Sequence, residues 1–225
     1  MKRKRWKLAV AGLVCLALIG AVRHDWSGKR LPKVLALTGQ KTQTEDLTDE
    51  TWYLRLVNRD HPIPEDYQIE LQELPGGQMV DARIYEPLTQ MLEAAAEEEL
   101  GPIVVAGYRT WEKQQSLMDE KIAEYTAQGC SEEEARFQAE QWVSVPGCSE
   151  HQLGLAVDIN GDVWDIYPWL AEHSWEYGFI LRYPGDKTEI TGCQEEVWHF
   201  RYVGTEAAKE IYESGVCLEE YLGLS

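Results

Sequence analysis

The sequence is short of positive charge. Among its 225 residues, 39 Asp and Glu stand against 21 Lys and Arg, a formal net charge of −18. Six of the basic residues (Lys2, Arg3, Lys4, Arg5, Lys7 and Arg23) fall in the first 23 positions, so the remainder carries 39 acidic against 15 basic residues, about −24. A surface that negative repels phosphate backbones and anionic lipid, which argues against nucleic acid as a partner and leaves small substrates or a locally positive pocket. No Cys-x-x-Cys pair occurs, so a cysteine-built zinc site is not expected. The cysteines beyond residue 23 are Cys130, Cys148, Cys193 and Cys217, an even number that permits two disulfides in an oxidising compartment, in any of three pairings. The His-Glu-x-x-His helix of the commoner zinc proteases is missing. So are internal repeats and low-complexity tracts.

Long apolar runs are missing as well, with one exception. The basic stretch "MKRKRWK" leads into Leu8–Val22, fifteen residues without a polar side chain. That is the pattern of an export signal. Fifteen is short against the roughly 17–25 residues of a spanning helix, but Trp6 and the aliphatic stem of Lys7 extend it. No small-x-small cleavage site follows, so an uncleaved anchor is favoured over a cleaved signal, with the N-terminus in the cytoplasm and the rest outside the cell. The chain thus divides into a signal anchor or signal peptide (1–23), a polar tether (24–51) and a folded domain (52–225).

At 44% apolar and 27% charged residues, the composition suits one globular domain of medium size. "WYLRLVNRDHPIP", from Trp52, reads as an opening strand and a proline-bounded loop. Ile84, Leu88, Met91, Leu92 and Ala95 recur at helical spacing between Asp81 and Leu100, with Pro87 tolerable only near the first turn. "GPIVVAGYR" is a short buried strand, after which Thr110 can cap a helix to about Gln128. "SEEEA" at 131–135 is a capping box for a helix ending near Val143. "LAVDI", "FILRY" and "VWHFRYV" read as strands, and helices fit "WLAEHSWEYG" and residues 205–214, each ended by a glycine. Strands and helices do not alternate regularly, which predicts an α+β domain with a small, mostly antiparallel sheet flanked by helices.

Two stretches carry chemistry. "SEHQLGLAVDI" (149–159) and "EEVWHFRYV" (195–203) each pair a histidine with nearby carboxylates. A hydrolytic zinc site takes three protein ligands and leaves a position for water; His151, Asp158 and His199 fill that set. Glu196, three residues before His199, is then the carboxylate that takes a proton from water. The glycine and alanine between His151 and Asp158 suit a turn where backbone approaches the metal closely. Either half-site alone also fits an ordinary structural ion pair, and both together make the metal reading about as good as that alternative. His24, His61 and His173 read as solvated bystanders.

"SEHQLGLAVDI" resembles the S-x-H-x-x-G-x-A-x-D motif of the VanY-type D-alanyl-D-alanine carboxypeptidases, a zinc peptidase family that includes D,D-dipeptidases and L,D-carboxypeptidases. "EVWHFRYVG" is similar to its E-x-W-H motif and "GYRTWEKQQ" to its Y-R-[ST]-x-x-x-Q segment; "LVNRDHPIPEDY" and "LRYPGDKTEITG" also read like the family. The resemblance covers about residues 54–204. It implies Zn2+ held by His151, Asp158 and His199 at the sheet, Glu196 as general base and acid, and Arg109 supporting the scissile carbonyl and its oxyanion. It also implies substrate contacts from Ser149 and Gln114, with Tyr183 and Trp198 lining the pocket; capping, surface and core roles remain open for these four. Val197 and Leu153 stand where the family often has proline and threonine, and neither change removes a ligand or the base.

The implied activity is removal of the terminal D-alanine from peptidoglycan stem pentapeptides. The alternatives are L,D-carboxypeptidase action on the tetrapeptide, endopeptidase cleavage of cross-links, and a cell-wall-binding module without turnover. Trimming D-Ala-D-Ala ends would remove the target of a glycopeptide antibiotic, which makes antibiotic resistance an expected role beside general wall maturation.

Overall fold

Side-chain caps set the helix boundaries in the computed structural model, which describes residues 51–224. Thr110 accepts a hydrogen bond from the Lys113 amide and starts α2 (Trp111–Ala127). Ser131 and Glu134 exchange the reciprocal bonds of a capping box at the start of α3 (Glu132–Ala139), which ends four residues short of the expected Val143. Upstream, the apolar stripe of α1 (Tyr85–Glu97) buries Leu88, Met91 and Ala95 completely, and Pro87 sits in its first turn. Burial of a Leu or Met side chain contributes roughly 1.5–3 kcal/mol, so this face fixes α1 on the domain.

Four strands make the main sheet: β3 (Ile103–Ala106), β4 (Ala156–Asn160), β5 (Phe179–Leu181) and β6 (His199–Tyr202). Their order is β3-β4-β6-β5, and every neighbouring pair is antiparallel. The expected α+β class is therefore correct. Helices α4 (Ile166–His173), α6 (Thr205–Ser214) and the short α5 (Thr188–Thr191) and α7 (Leu218–Tyr221) complete the described α-helices, and β1 (Leu71–Glu73) and β2 (Met79–Asp81) form a separate two-stranded hairpin. Neither the hairpin nor α7 was expected.

Alternation along β4 separates core from chemistry. Val157 and Ile159 are fully buried in the main core with Phe200, Phe179 and the α1 stripe, while Asp158 between them faces the other way. A second apolar cluster joins Ile180 and Val203 to Ala207, Ala208 and Ile211 of α6.

The segment from Trp52 departs from expectation. It forms a short 3-10 turn, Trp52–Leu54, and no strand. Its aromatic side chains find better partners as packing groups: Trp52 stacks on Tyr202 at 6.0 Å and lies 3.5 Å from the Arg83 guanidinium. The four cysteines are free thiols, so neither of the two permitted disulfides is present among the described residues. The expected anchor and nearly all of the tether lie outside those residues. No described helix is long and apolar enough to cross a membrane.

Candidate active site

The antiparallel register of β4 and β6 sets Asp158 directly opposite His199. Directly opposed side chains share one face of a sheet at about 4.5–5.5 Å between Cβ atoms, which is how two motifs some forty residues apart come together. His151 arrives from a 3-10 turn, Glu150–Leu153, that packs beside the start of β4. Gly154 ends this turn with φ of +70°. A close approach is found at this glycine, to the β1–β2 hairpin. A Cβ there would lie 2.3 Å from Ile69 Cδ1 and 2.9 Å from the Asp81 amide nitrogen, so the glycine lets the turn rest against the β1–β2 hairpin. The Asp81 amide donates to the Gly154 carbonyl at 3.0 Å.

Three donor atoms converge. His151 Nε2 lies 3.3 Å and His199 Nδ1 3.1 Å from Asp158 Oδ1, and the group as a whole falls within 4.8 Å. Donors about 2.0–2.1 Å from a tetrahedral zinc lie roughly 3.3 Å from one another, so the residues fit the ion. The protonation pattern agrees for the first histidine. Nδ1 of His151 is 2.8 Å from the Gly107 carbonyl, which can only accept, so Nδ1 carries the hydrogen and Nε2 offers its lone pair. Burial holds His151 below its ordinary pKa, in the neutral form that a metal needs.

The other charges are arranged around this triangle. Burial, and secondarily the Asp158 charge, push the Glu196 carboxyl up to about 7, although His199 and Arg109 pull the other way. Its Oε2 lies 3.6 Å from His199 Nδ1. Burial works against protonation of His199, but hydrogen bonding to Asp158 and the neighbouring Glu150 carboxylate outweigh it and raise the ring to about 9. Arg109 Nη2 donates to the second oxygen of Asp158 at 2.8 Å, and Nη1 approaches Gln114 Oε1 at 3.5 Å.

All nine residues singled out in the sequence line one cavity of about 350 Å3: Arg109, Gln114, Ser149, His151, Asp158, Tyr183, Glu196, Trp198 and His199. Not all of them reach into it freely. Gln114 is fully buried and donates to the Ser144 carbonyl at 2.7 Å, so it holds the wall together. Tyr183 is 8% exposed, with its ring tilted against His199 at 4.9 Å. Ser149 is buried and Trp198 half-buried on the cavity wall. His61 and His173 take no part: they pair locally with Asn58 and Glu176.

Sequence reasoning missed Glu150, which also lines the cavity. It is one of 39 acidic residues, and only its place beside His151 could have drawn attention to it.

Residues 77–205 match the VanY family, described as D-alanyl-D-alanine carboxypeptidase. The chain belongs to that family. A D-alanyl-D-alanine carboxypeptidase of Enterococcus faecalis is 54% identical over 186 residues, an alignment covering 80% of this chain and 69% of that protein. Among solved structures, VanYB in complex with D-alanine-D-alanine is 55% identical with a TM-score of 0.75, covering 76% of this chain and 98% of that one. A mutant of a vancomycin resistance D,D-pentapeptidase VanY in complex with Zn(II) is 56% identical with a TM-score of 0.74, covering 76% and 99%. L,D-carboxypeptidases are among the further structural neighbours.

Proposed function

We infer that this chain is a zinc-dependent D-alanyl-D-alanine carboxypeptidase that removes the terminal D-alanine from peptidoglycan stem peptides. The observation that carries the reading is the convergence of His151 Nε2, Asp158 Oδ1 and His199 Nδ1 beside the buried carboxyl of Glu196. Bound by these three residues, zinc would act as a Lewis acid towards the scissile carbonyl and make water acidic at neutral pH.

The remaining chemistry belongs to the side chains. Glu196 takes the proton from the attacking water and returns it to the departing D-alanine amine, a task for which its buried place beside His199 suits it. Arg109 has two tasks. One arm fixes Asp158 through its second oxygen, and the cation stands beside the position where negative charge develops on the carbonyl oxygen. Gln114 steadies the guanidinium from the α2 side. Ser149, Tyr183 and Trp198 shape the wall against which the dipeptide end lies. Shortening D-Ala-D-Ala ends deprives a glycopeptide antibiotic of its target, which gives the activity a resistance role. We further propose that residues 1–23 tether the domain outside the cell membrane, on the strength of the basic-then-apolar pattern; fractionation of cells expressing the full chain and one lacking residues 1–23 tests this.

Mass spectrometry of products tests the activity. Residues 26–225 with zinc are given muramyl pentapeptide and tetrapeptide separately, with Glu196→Ala as control. Loss of one D-alanine from the pentapeptide alone is the expected result. Loss from the tetrapeptide moves the assignment to L,D-carboxypeptidase, and no product from either, with protein folded and zinc bound, overturns the reading.

A further inference from the structure

Behind His199 lies a row of buried charges that the chemistry above does not use. Glu150, Arg182, Arg201 and Glu219 are each no more than 3% exposed. Arg182 donates from Nε to Glu150 Oε1 at 2.8 Å, and its two other nitrogens grip both oxygens of Glu219 at 2.9 and 2.6 Å. Arg201 Nη1 reaches the same Glu150 Oε1 at 2.9 Å, while its Nη2 donates to the carbonyls of Tyr53 and Arg55.

Both arginines therefore face one oxygen of Glu150, Arg182 through a hydrogen bond and Arg201 through an ion pair without hydrogen-bond geometry. The other, Oε2, has no hydrogen-bond partner although it is buried, and it faces His199 Nε2 at 3.6 Å, a nitrogen that is also buried and unpartnered. A buried carboxylate oxygen and a buried ring nitrogen side by side each cost about 1–3 kcal/mol if left unsatisfied, which favours their pairing with one another. They are a donor and acceptor slightly beyond bonding distance.

We propose that Glu150 is the positioning residue for His199: its Oε2 accepts the Nε2 hydrogen of the ring and so holds the Nδ1 lone pair on the Asp158 side. The proposal rests on the zinc reading of His151, Asp158 and His199. His151 has a backbone carbonyl, that of Gly107, for the equivalent task; His199 is given a carboxylate, the stronger acceptor, which raises the basicity of a ligating imidazole. The support runs further than Glu150. Glu219 lies on α7, and the Tyr53 and Arg55 carbonyls lie in the opening segment, all outside the family-matched residues 77–205. Both flanks of the family core thus hold the arginines that hold Glu150.

The test uses the domain with its native flanks (residues 26–225), labelled with 15N-histidine. In the zinc-loaded wild type, long-range 1H–15N correlations are expected to show His199 with its hydrogen on Nε2; a hydrogen on Nδ1 overturns the proposal without any substitution. Competition against a chromophoric chelator then compares zinc affinity in Glu150→Gln and Glu219→Gln with the wild type. Glu150→Gln is expected to weaken zinc about 10–100-fold, and Glu219→Gln to weaken it less. An affinity for zinc within twofold of wild type in folded Glu150→Gln overturns the proposal. If wild type binds no zinc, or His151→Ala binds it as well as wild type does, the zinc reading itself has failed. If wild type binds one zinc through His151 and only the Glu150 comparison is flat, this inference alone has failed.

Discussion

Gly154→Ala separates two reasons for a glycine at the turn that carries His151. The first is conformational. With φ at +70° an alanine sits in the left-handed region, which costs about 1–2 kcal/mol for an L residue. The second is space. The new Cβ would meet Ile69 Cδ1 at 2.3 Å and the Asp81 amide nitrogen at 2.9 Å. Ile69 can rotate, but the Asp81 backbone is held by β2 and by its bond to the Gly154 carbonyl. Overpacking of this kind costs roughly 1–3 kcal/mol, and the strained backbone bond accounts for about 1 kcal/mol more. The expected loss is therefore on the order of 3–6 kcal/mol, or a fall in Tm of about 6–24 °C.

Gly215→Ala is the matched control: its φ is +68° and nothing lies within 4 Å of the added Cβ. It should show only the conformational cost of about 1–2 kcal/mol. Urea unfolding of the zinc-loaded proteins measures both. Movement of the turn also shifts His151 relative to Asp158, so kcat/KM of Gly154→Ala should fall about 10²-fold, as misplacement near 1 Å does, while Gly215→Ala stays near wild type. Equal destabilisation by the two variants would refute the claim that close packing against the hairpin, and not φ alone, requires Gly154.

Glu196→Gln should keep one zinc per chain and lower kcat by about 10²–10⁴; a decrease below tenfold in steady-state assays would remove Glu196 from the proton-transfer role. Arg109→Met, which strands Asp158 Oδ2 and removes the cation, should reduce kcat/KM by at least about 10² and weaken zinc about 10–100-fold, and unchanged zinc affinity by chelator competition would break the link to Asp158. Chelation should lower Tm by on the order of 10 °C, since ligand at 1,000 times its Kd contributes about 4 kcal/mol to the folded state; readdition of zinc should restore it, and a flat thermal scan would contradict a tightly held ion. Burial opposes ionisation of Glu150, but Arg182 and Arg201 overcome it and hold the carboxyl well below the usual carboxylate range. A group depressed in this way stabilises the fold above its unfolded value of about 4.3 and loses that contribution as pH falls through its folded value. The urea midpoint of zinc-free protein should therefore decline with acidification below about pH 4.5, less steeply in Glu150→Gln; parallel declines would exclude Glu150 as a source.

Residue type and spacing alone determined a good deal of this protein. Thr110, Ser131 and Glu134 announced their helix starts because caps are local, satisfying amides within three residues. The period of Leu88, Met91 and Ala95 announced α1 because burial on one face repeats every turn. His151, Asp158, His199 and Glu196 could be named because metal ligands and bases are drawn from few residue types.

Only the tertiary structure decided the rest. The run from Trp52 has the composition of a strand, yet it forms a turn, because its aromatic side chains pack on Tyr202 and Arg83 from elsewhere in the chain. Gly154 was legible as a tight turn, but what it approaches is the hairpin, a partner distant in sequence. Glu150 was invisible among so many acids. Its meaning comes from Arg182 and Arg201 on one oxygen and His199 opposite the other, and long-range pairing of this kind is set by strand register and packing, which no local pattern encodes.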